Sequence, residues 1–146
     1  MSQQGLNVAT SFGQGLPSFP SKAAAEVGLF RLRDAVLRDL GQMVVLDYSP
    51  ESLKVFEAWF FAQPEPRRLP NGDPLELSVG FYIGEVVVRH ANFHWVVQPF
   101  VFASGKYEIG VNRGGATITV TKGWSLSLDR NKRMQSLWRE YQKFAG

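Results

Sequence analysis

The sequence predicts an α+β domain: N-terminal helices, a roughly four-stranded antiparallel sheet, and a C-terminal helix packed on it. Three observations carry that expectation. Apolar residues recur at helical spacing over 22–40, over 50–62 and again through Gly80–Val88. From Phe93 the period shortens toward two, with turn residues between the apolar runs. After Asp129 the helical spacing returns.

A chain of 146 residues with 45% hydrophobic and 20% charged residues is one domain's length and can bury a real core. Residues 1–21 carry Gly5, Gly13, Gly15, Pro17 and Pro20 among polar residues. They read as a flexible tail, which Leu6, Phe12, Leu16 and Phe19 can pin to the body. Residues 22–146 form the single α+β domain. Ser21 is placed to cap a helix from Lys22 to about Leu40, with Gly41 placed to end it. Met43-Val44-Val45-Leu46 then suits a short buried strand, with an extension of the helix as the alternative.

Ser49-Pro50-Glu51 opens a second helix that runs to about Ala62 and buries Leu53, Phe56 and Phe60. Gln63 to Gly72, with three prolines and the turn Asn71-Gly72, is a surface loop with Arg67-Arg68 at its tip. Asp73 is placed to cap the third helix. In that helix Gly80 and Gly84 share one face, where the missing side chains let another backbone approach. Each glycine costs about 1 kcal/mol against alanine in a helix interior, so the pair points to close packing.

Asn92 ends the helix and the meander begins. Trp95–Val97 and Phe100–Phe102 flank Pro99, which implies a bulge or an edge. Tyr107, Ile109 and Val111 alternate, as do Thr117 to Thr121, with Asn112-Arg113-Gly114-Gly115 as the turn between. Trp124–Leu128 is the fourth strand, and Asp129 caps a last helix from Arg130 to Phe144.

The totals also bound the function. Sixteen Lys and Arg against thirteen Asp and Glu leave a formal charge of +3, too small an excess to imply nucleic acid. With no cysteine there is neither a disulfide nor a thiolate ligand or nucleophile. Neither a secretory start nor an apolar run of about 20 residues is present, so the expected setting is cytoplasmic.

His90 and His94 are the pair with metal-ligand spacing, and Glu85 or Glu108 could complete a set. Asn92 between them would turn the rings apart, leaving one histidine at a helix C-terminus and one at a strand start. Glu85 lies within an apolar helix. It reads either as a general base with a raised pKa or as a structural group paired with Arg89 one turn on, or with the Trp95 indole. The second reading is the stronger. No cofactor or metal is implied.

Gly80-Phe81-Tyr82-Ile83-Gly84-Glu85-Val86, followed by His94-Trp95-Val96, resembles small bacterial proteins with a Gly-x-Tyr-x-Gly-Glu-Val helix and a Trp-led strand. The likeness runs from about Asp47 to the C-terminus. It implies a fold of the sort found among accessory and toxin-neutralising immunity proteins, and it assigns no catalytic residue. The resulting expectation is a non-enzymatic binding protein that blocks a toxin or effector encoded by a neighbouring gene. Arg67, Arg68, Lys106, Asn112, Arg113 and Arg133 are its candidate partner contacts. The alternative is a small enzyme or ligand-binding domain using Glu85, His90 and His94 in a pocket between helix and sheet.

Overall fold

The computed structural model describes residues 16–120 and 136–145. Among them are four helices, α1 (Lys22–Met43), α2 (Ser52–Ala62), α3 (Leu77–His90) and α4 (Ser136–Ala145), and three strands, β1 (His94–Pro99), β2 (Tyr107–Arg113) and β3 (Ala116–Thr119). The strands form an antiparallel meander in the order β1-β2-β3. Its register sets Trp95 opposite Val111 and Val97 opposite Ile109, and Val111 opposite Ile118. Three strands are thus present among the described residues. The expected fourth, Trp124–Leu128, the Asp129 cap and Arg133 lie outside them.

The centre of the fold is α3. Every residue from Leu77 to Gly84 is buried, as are Val86 and Val87, because the helix packs on α1, α4, β1 and β2. A helix apolar on nearly all sides has no solvent face to offer. The two glycines set its distance from the sheet. A β-carbon on Gly80 would overlap the Val120 carbonyl oxygen, and one on Gly84 would stand 2.5 Å from the Trp95 ring. Asn92, at φ 63°, carries the chain out of the helix toward β1.

The helix starts follow local capping chemistry in two cases and depart from it in a third. Ser21 Oγ accepts from the Ala24 N–H at 3.1 Å, and Ser49 Oγ from the Ser52 N–H at 3.2 Å. Asp73 does not cap α3. Its carboxylate accepts from the Asn71 side-chain amide at 3.0 Å. Backbone bonds from Leu69 to Asp73 and from Leu75 to Arg67 hold this stretch in the loop, so the helix begins at Leu77. Asp73 serves the turn because an aspartate side chain satisfies a turn as readily as a helix end.

Three other expectations change. Gly41 does not end α1, which continues to Met43. Val44 is extended, at φ −149° and ψ 140°, but residues 44–46 belong to no strand among the described residues. Phe100–Phe102 form a turn rather than a strand, leaving Phe102 76% exposed. The tight pairing of Phe100 N–H with the Lys106 carbonyl closes that turn at 2.9 Å, and Pro99 sits at the end of an edge strand, where its missing N–H costs no ladder bond. At the N-terminus, Leu16 is buried, and the Phe19 N–H donates to Gly105 O at 3.0 Å. The chain is therefore fixed to the body from Leu16 on, by two of the residues expected to pin it.

One lock between helices has no counterpart in the sequence reading. Glu57 of α2 is 2% exposed. It accepts from the Leu137 N–H at 2.8 Å and from Ser136 Oγ at 3.0 Å. The carboxylate caps the start of α4, where free N–H groups and the helix dipole favour negative charge.

The glycines make a graded test in chemical unfolding. Gly41→Ala, with open space around its β-carbon, is expected to raise stability by about 0.5–1 kcal/mol. Gly84→Ala must move a ring, and is expected to lower stability. Gly80→Ala must move backbone and is expected to be the worst, losing about 2 kcal/mol or more. Equal effects at the three positions would remove the close-packing account.

Candidate binding site

Glu85 is 18% exposed at its side chain, and both of its oxygens are engaged. Trp95 Nε1 donates to one at 2.9 Å and Arg89 Nε to the other at 2.8 Å. The indole ties α3 to β1 immediately beside Gly84. His90, the last residue of α3, and His94, the first of β1, are both exposed. The structure does not gather the three into one pocket. Among the described residues no three His, Asp or Glu side chains are grouped so as to hold a metal ion.

The candidate partner contacts are scattered: Arg67 and Arg68 share the loop after α2, Lys106 precedes β2, and Asn112 and Arg113 end that strand. Arg67 is largely covered: its Nε donates to the Phe60 carbonyl at 3.0 Å, Glu65 pairs with its guanidinium, and it lies 4.7 Å over the Phe60 ring. Lys106 Nζ donates to the Leu16 carbonyl at 2.8 Å. Asn112 Nδ2 donates across the hairpin to Thr117 Oγ1 at 2.9 Å. Arg113 donates to the Ala91 carbonyl at 2.8 Å at the C-terminal end of α3, and lies over the Phe93 ring. Each of these four has an architectural partner. Arg68, at the exposed tip, makes one long contact to the Gly72 carbonyl at 3.5 Å.

The chain also forms a half-open pocket of about 160 Å³. Its walls are Leu37, Leu40 and Gly41 at the end of α1 and the linker residues 44–46, and its other side is the rings of Tyr48 and Tyr82. Tyr48 is held at φ 61°, a left-handed conformation that a bulky residue adopts only when its surroundings fix it. They do. Its ring stacks on Tyr82 at 4.8 Å, and the Arg89 guanidinium covers it at 4.2 Å.

The tyrosine hydroxyl beneath is fully defined. Ser52 Oγ donates to the Ser49 carbonyl at 2.6 Å, so the 2.6 Å contact between Ser52 and Tyr82 is donated by the phenol. The same phenol accepts from the Tyr48 N–H at 3.0 Å. Behind Tyr82 lie Phe56, at 4.9 Å, and Phe60, at 6.4 Å from Phe56. A file of rings therefore runs from Arg89 at the pocket to Arg67 at the loop. Burial pushes the Tyr82 phenol above its ordinary value, against the hydrogen bond it accepts from the Tyr48 N–H. Burial also raises Tyr48, with Arg89 opposing. At the rim, the bonds that Ser49 donates from its side chain and its backbone hold the Asp47 carboxyl below its usual value.

Residues 18–145 match the family described as Uncharacterised protein YwmA. The chain belongs to that family. Its YwmA relative from Bacillus subtilis (strain 168) is 27% identical over 113 residues, which span 70% of this chain and 71% of the relative. No solved structure matches. Nor is any helix among the described residues long and apolar enough to cross a membrane. The family assignment spans both walls and the aromatic side of the pocket, as well as Glu57, Glu85 and Trp95.

Two measurements test the pocket's support in this YwmA family member. Tyr82→Phe leaves the Tyr48 N–H without its acceptor and is expected to cost about 1–3 kcal/mol in urea unfolding; an unchanged midpoint would show the bond to be dispensable. Tyrosines with raised folded-state pKa values keep the native state favoured below the unfolded value of 10.0. That advantage disappears as pH rises through the folded values. Stability should therefore fall above pH 10, tracked by tyrosinate absorbance, and Tyr82→Phe should flatten the fall.

Proposed function

We propose that the protein is a non-enzymatic binding protein whose ligand is another protein, and that it acts as an immunity-type factor by occupying and blocking a toxin. The observation that supports binding over catalysis is the pocket. It is walled by aliphatic side chains beside a rigid aromatic side, and Val45 at its wall is 94% exposed. Such aliphatic and aromatic side chains suit contact with an apolar group. Glu85, the strongest acid-base candidate in the sequence, has its two oxygens turned to Trp95 and Arg89. The narrower reading, a toxin as partner, rests on the resemblance carried by Gly80–Val86 and Trp95.

The experiment is co-expression with the products of the adjacent genes, read by size-exclusion chromatography and by host survival when the neighbour is toxic. A stable complex that restores growth is expected. Glu85→Gln is expected to retain that complex while losing about 0.3–0.5 kcal/mol of stability through the Arg89 pair. Co-elution with none of the neighbouring products, or loss of function in Glu85→Gln with unchanged stability, would sink the proposal.

A further inference from the structure

The loop between α2 and α3 turns, at its tip, on a pair of residues that carries its own chemistry. Leu69-Pro70-Asn71-Gly72 is a β-turn, closed by the Gly72 N–H donating to the Leu69 carbonyl at 2.9 Å. Asn71 and Gly72 are both exposed. Gly72 sits at φ 96°, with open space where a β-carbon would stand. Of the chain's asparagines, Asn71 alone precedes a glycine. Asn92 precedes the buried Phe93, and the Asn112 amide is tied to Thr117 across its hairpin. Two contacts prepare the Asn71 side chain for attack on its carbonyl carbon. Its Oδ1 accepts from the Asp73 N–H at 3.0 Å, which polarises the carbonyl and favours charge developing on that oxygen. Its Nδ2 donates to an Asp73 carboxylate oxygen at 3.0 Å, so a departing ammonium forms beside a negative charge.

We propose that Asn71 is a self-modification site, where the Gly72 backbone nitrogen displaces the side-chain amide in the folded protein. The Gly72 N–H leaves the Leu69 carbonyl when this exposed turn opens locally, and gives its proton to water or hydroxide. The nitrogen then bonds to Asn71 Cγ and the Cγ–Nδ2 bond breaks. Nδ2 departs as ammonia, taking the proton it needs from water. A cyclic imide remains, and water opens it at either carbonyl. Opening at Cγ leaves aspartate. Opening at the backbone carbonyl leaves isoaspartate, whose main chain runs through Cγ. The net change is amide plus water to carboxylate plus ammonium, with nothing oxidised or reduced. Glycine matters because a side chain at position 72 would crowd the approach of the nitrogen. Both products bring a negative charge to the turn, close to Asp73 and to Arg68, whose Nη1 lies 3.5 Å from the Gly72 carbonyl. Isoaspartate also lengthens the main chain inside the bonds from Leu69 N–H to Asp73 O and from Leu75 N–H to Arg67 O. The lead into α3 is loosened as a result. This inference stands apart from the partner reading.

The test incubates the whole protein at neutral pH for several weeks, with peptide mass spectrometry at intervals. The probe for isoaspartate is an isoaspartyl O-methyltransferase supplied with a labelled methyl donor. Conversion is expected at Asn71 at least tenfold faster than at Asn92 or Asn112, with the label entering the Asn71 peptide. Asn71→Gln, whose longer side chain closes the imide ring far more slowly, should remove that label while keeping the fold. Gly72→Ala, followed both in native buffer and in urea, should slow conversion at least tenfold. Aged protein should bind a cation exchanger less tightly and exchange the Leu69 and Leu75 amide hydrogens faster than fresh protein. An Asn71 that stays intact in the native protein over a period that converts the urea-unfolded chain would overturn the proposal. So would conversion spread evenly over Asn71, Asn92 and Asn112, or an unchanged rate in Gly72→Ala.

Discussion

The separation between α3 and the sheet is set by two absent side chains. Gly80 lets the Val120 backbone, and Gly84 the Trp95 ring, come closer than any β-carbon would permit. Everything else on that helix follows from the approach. Because the helix lies so close, Glu85 reaches the Trp95 indole without leaving its own turn, and Tyr82 on the same helix is left with no access to water. The glycines weaken the isolated helix by about 1 kcal/mol each, and the contact surface they open more than offsets it.

A helix buried so completely must satisfy its polar groups inside the protein. Three side chains show how this is done. The Glu85 carboxylate bridges to the sheet, the Tyr82 phenol accepts from the chain at Tyr48 and donates to α2 through Ser52, and on the neighbouring helix Glu57 receives the start of α4. Each polar group joins two elements that apolar packing alone would hold less uniquely. The Tyr82 bond has a further effect, since it holds Tyr48 in its left-handed conformation and so shapes the pocket.

Much of the fold is legible in the sequence because its signals are local. The caps at Ser21 and Ser49, the turn at Gly114 and the close approach at Gly80 and Gly84 each depend on a few adjacent residues. The partners of Glu85 are legible for the same reason, one a turn away and the other just beyond the helix end. Asp73 misleads because its side chain serves a turn equally well. Met43–Leu46 reads as a strand, but Met43 ends α1 and residues 44–46 join no sheet among the described residues, since whether a strand has a neighbour depends on distant chain. Glu57 is invisible for a plainer reason: its partners lie 79 and 80 residues on. The pocket is hidden likewise, being assembled from the end of one helix, a linker and a ring on another. The one clue was a tyrosine in an otherwise apolar helix, since a buried phenol needs a partner.

The file of rings from Tyr48 through Tyr82 and Phe56 to Phe60, closed by an arginine at each end, has a bearing on how the family can diversify. A change at any ring disturbs the core behind it, so that side of the recess is fixed by packing. The opposite side, Leu37, Gly41 and Val45, is built from a helix end and a linker that carry little of the core. Substitutions at those three positions therefore reshape the rim of the recess at little cost to the scaffold beneath.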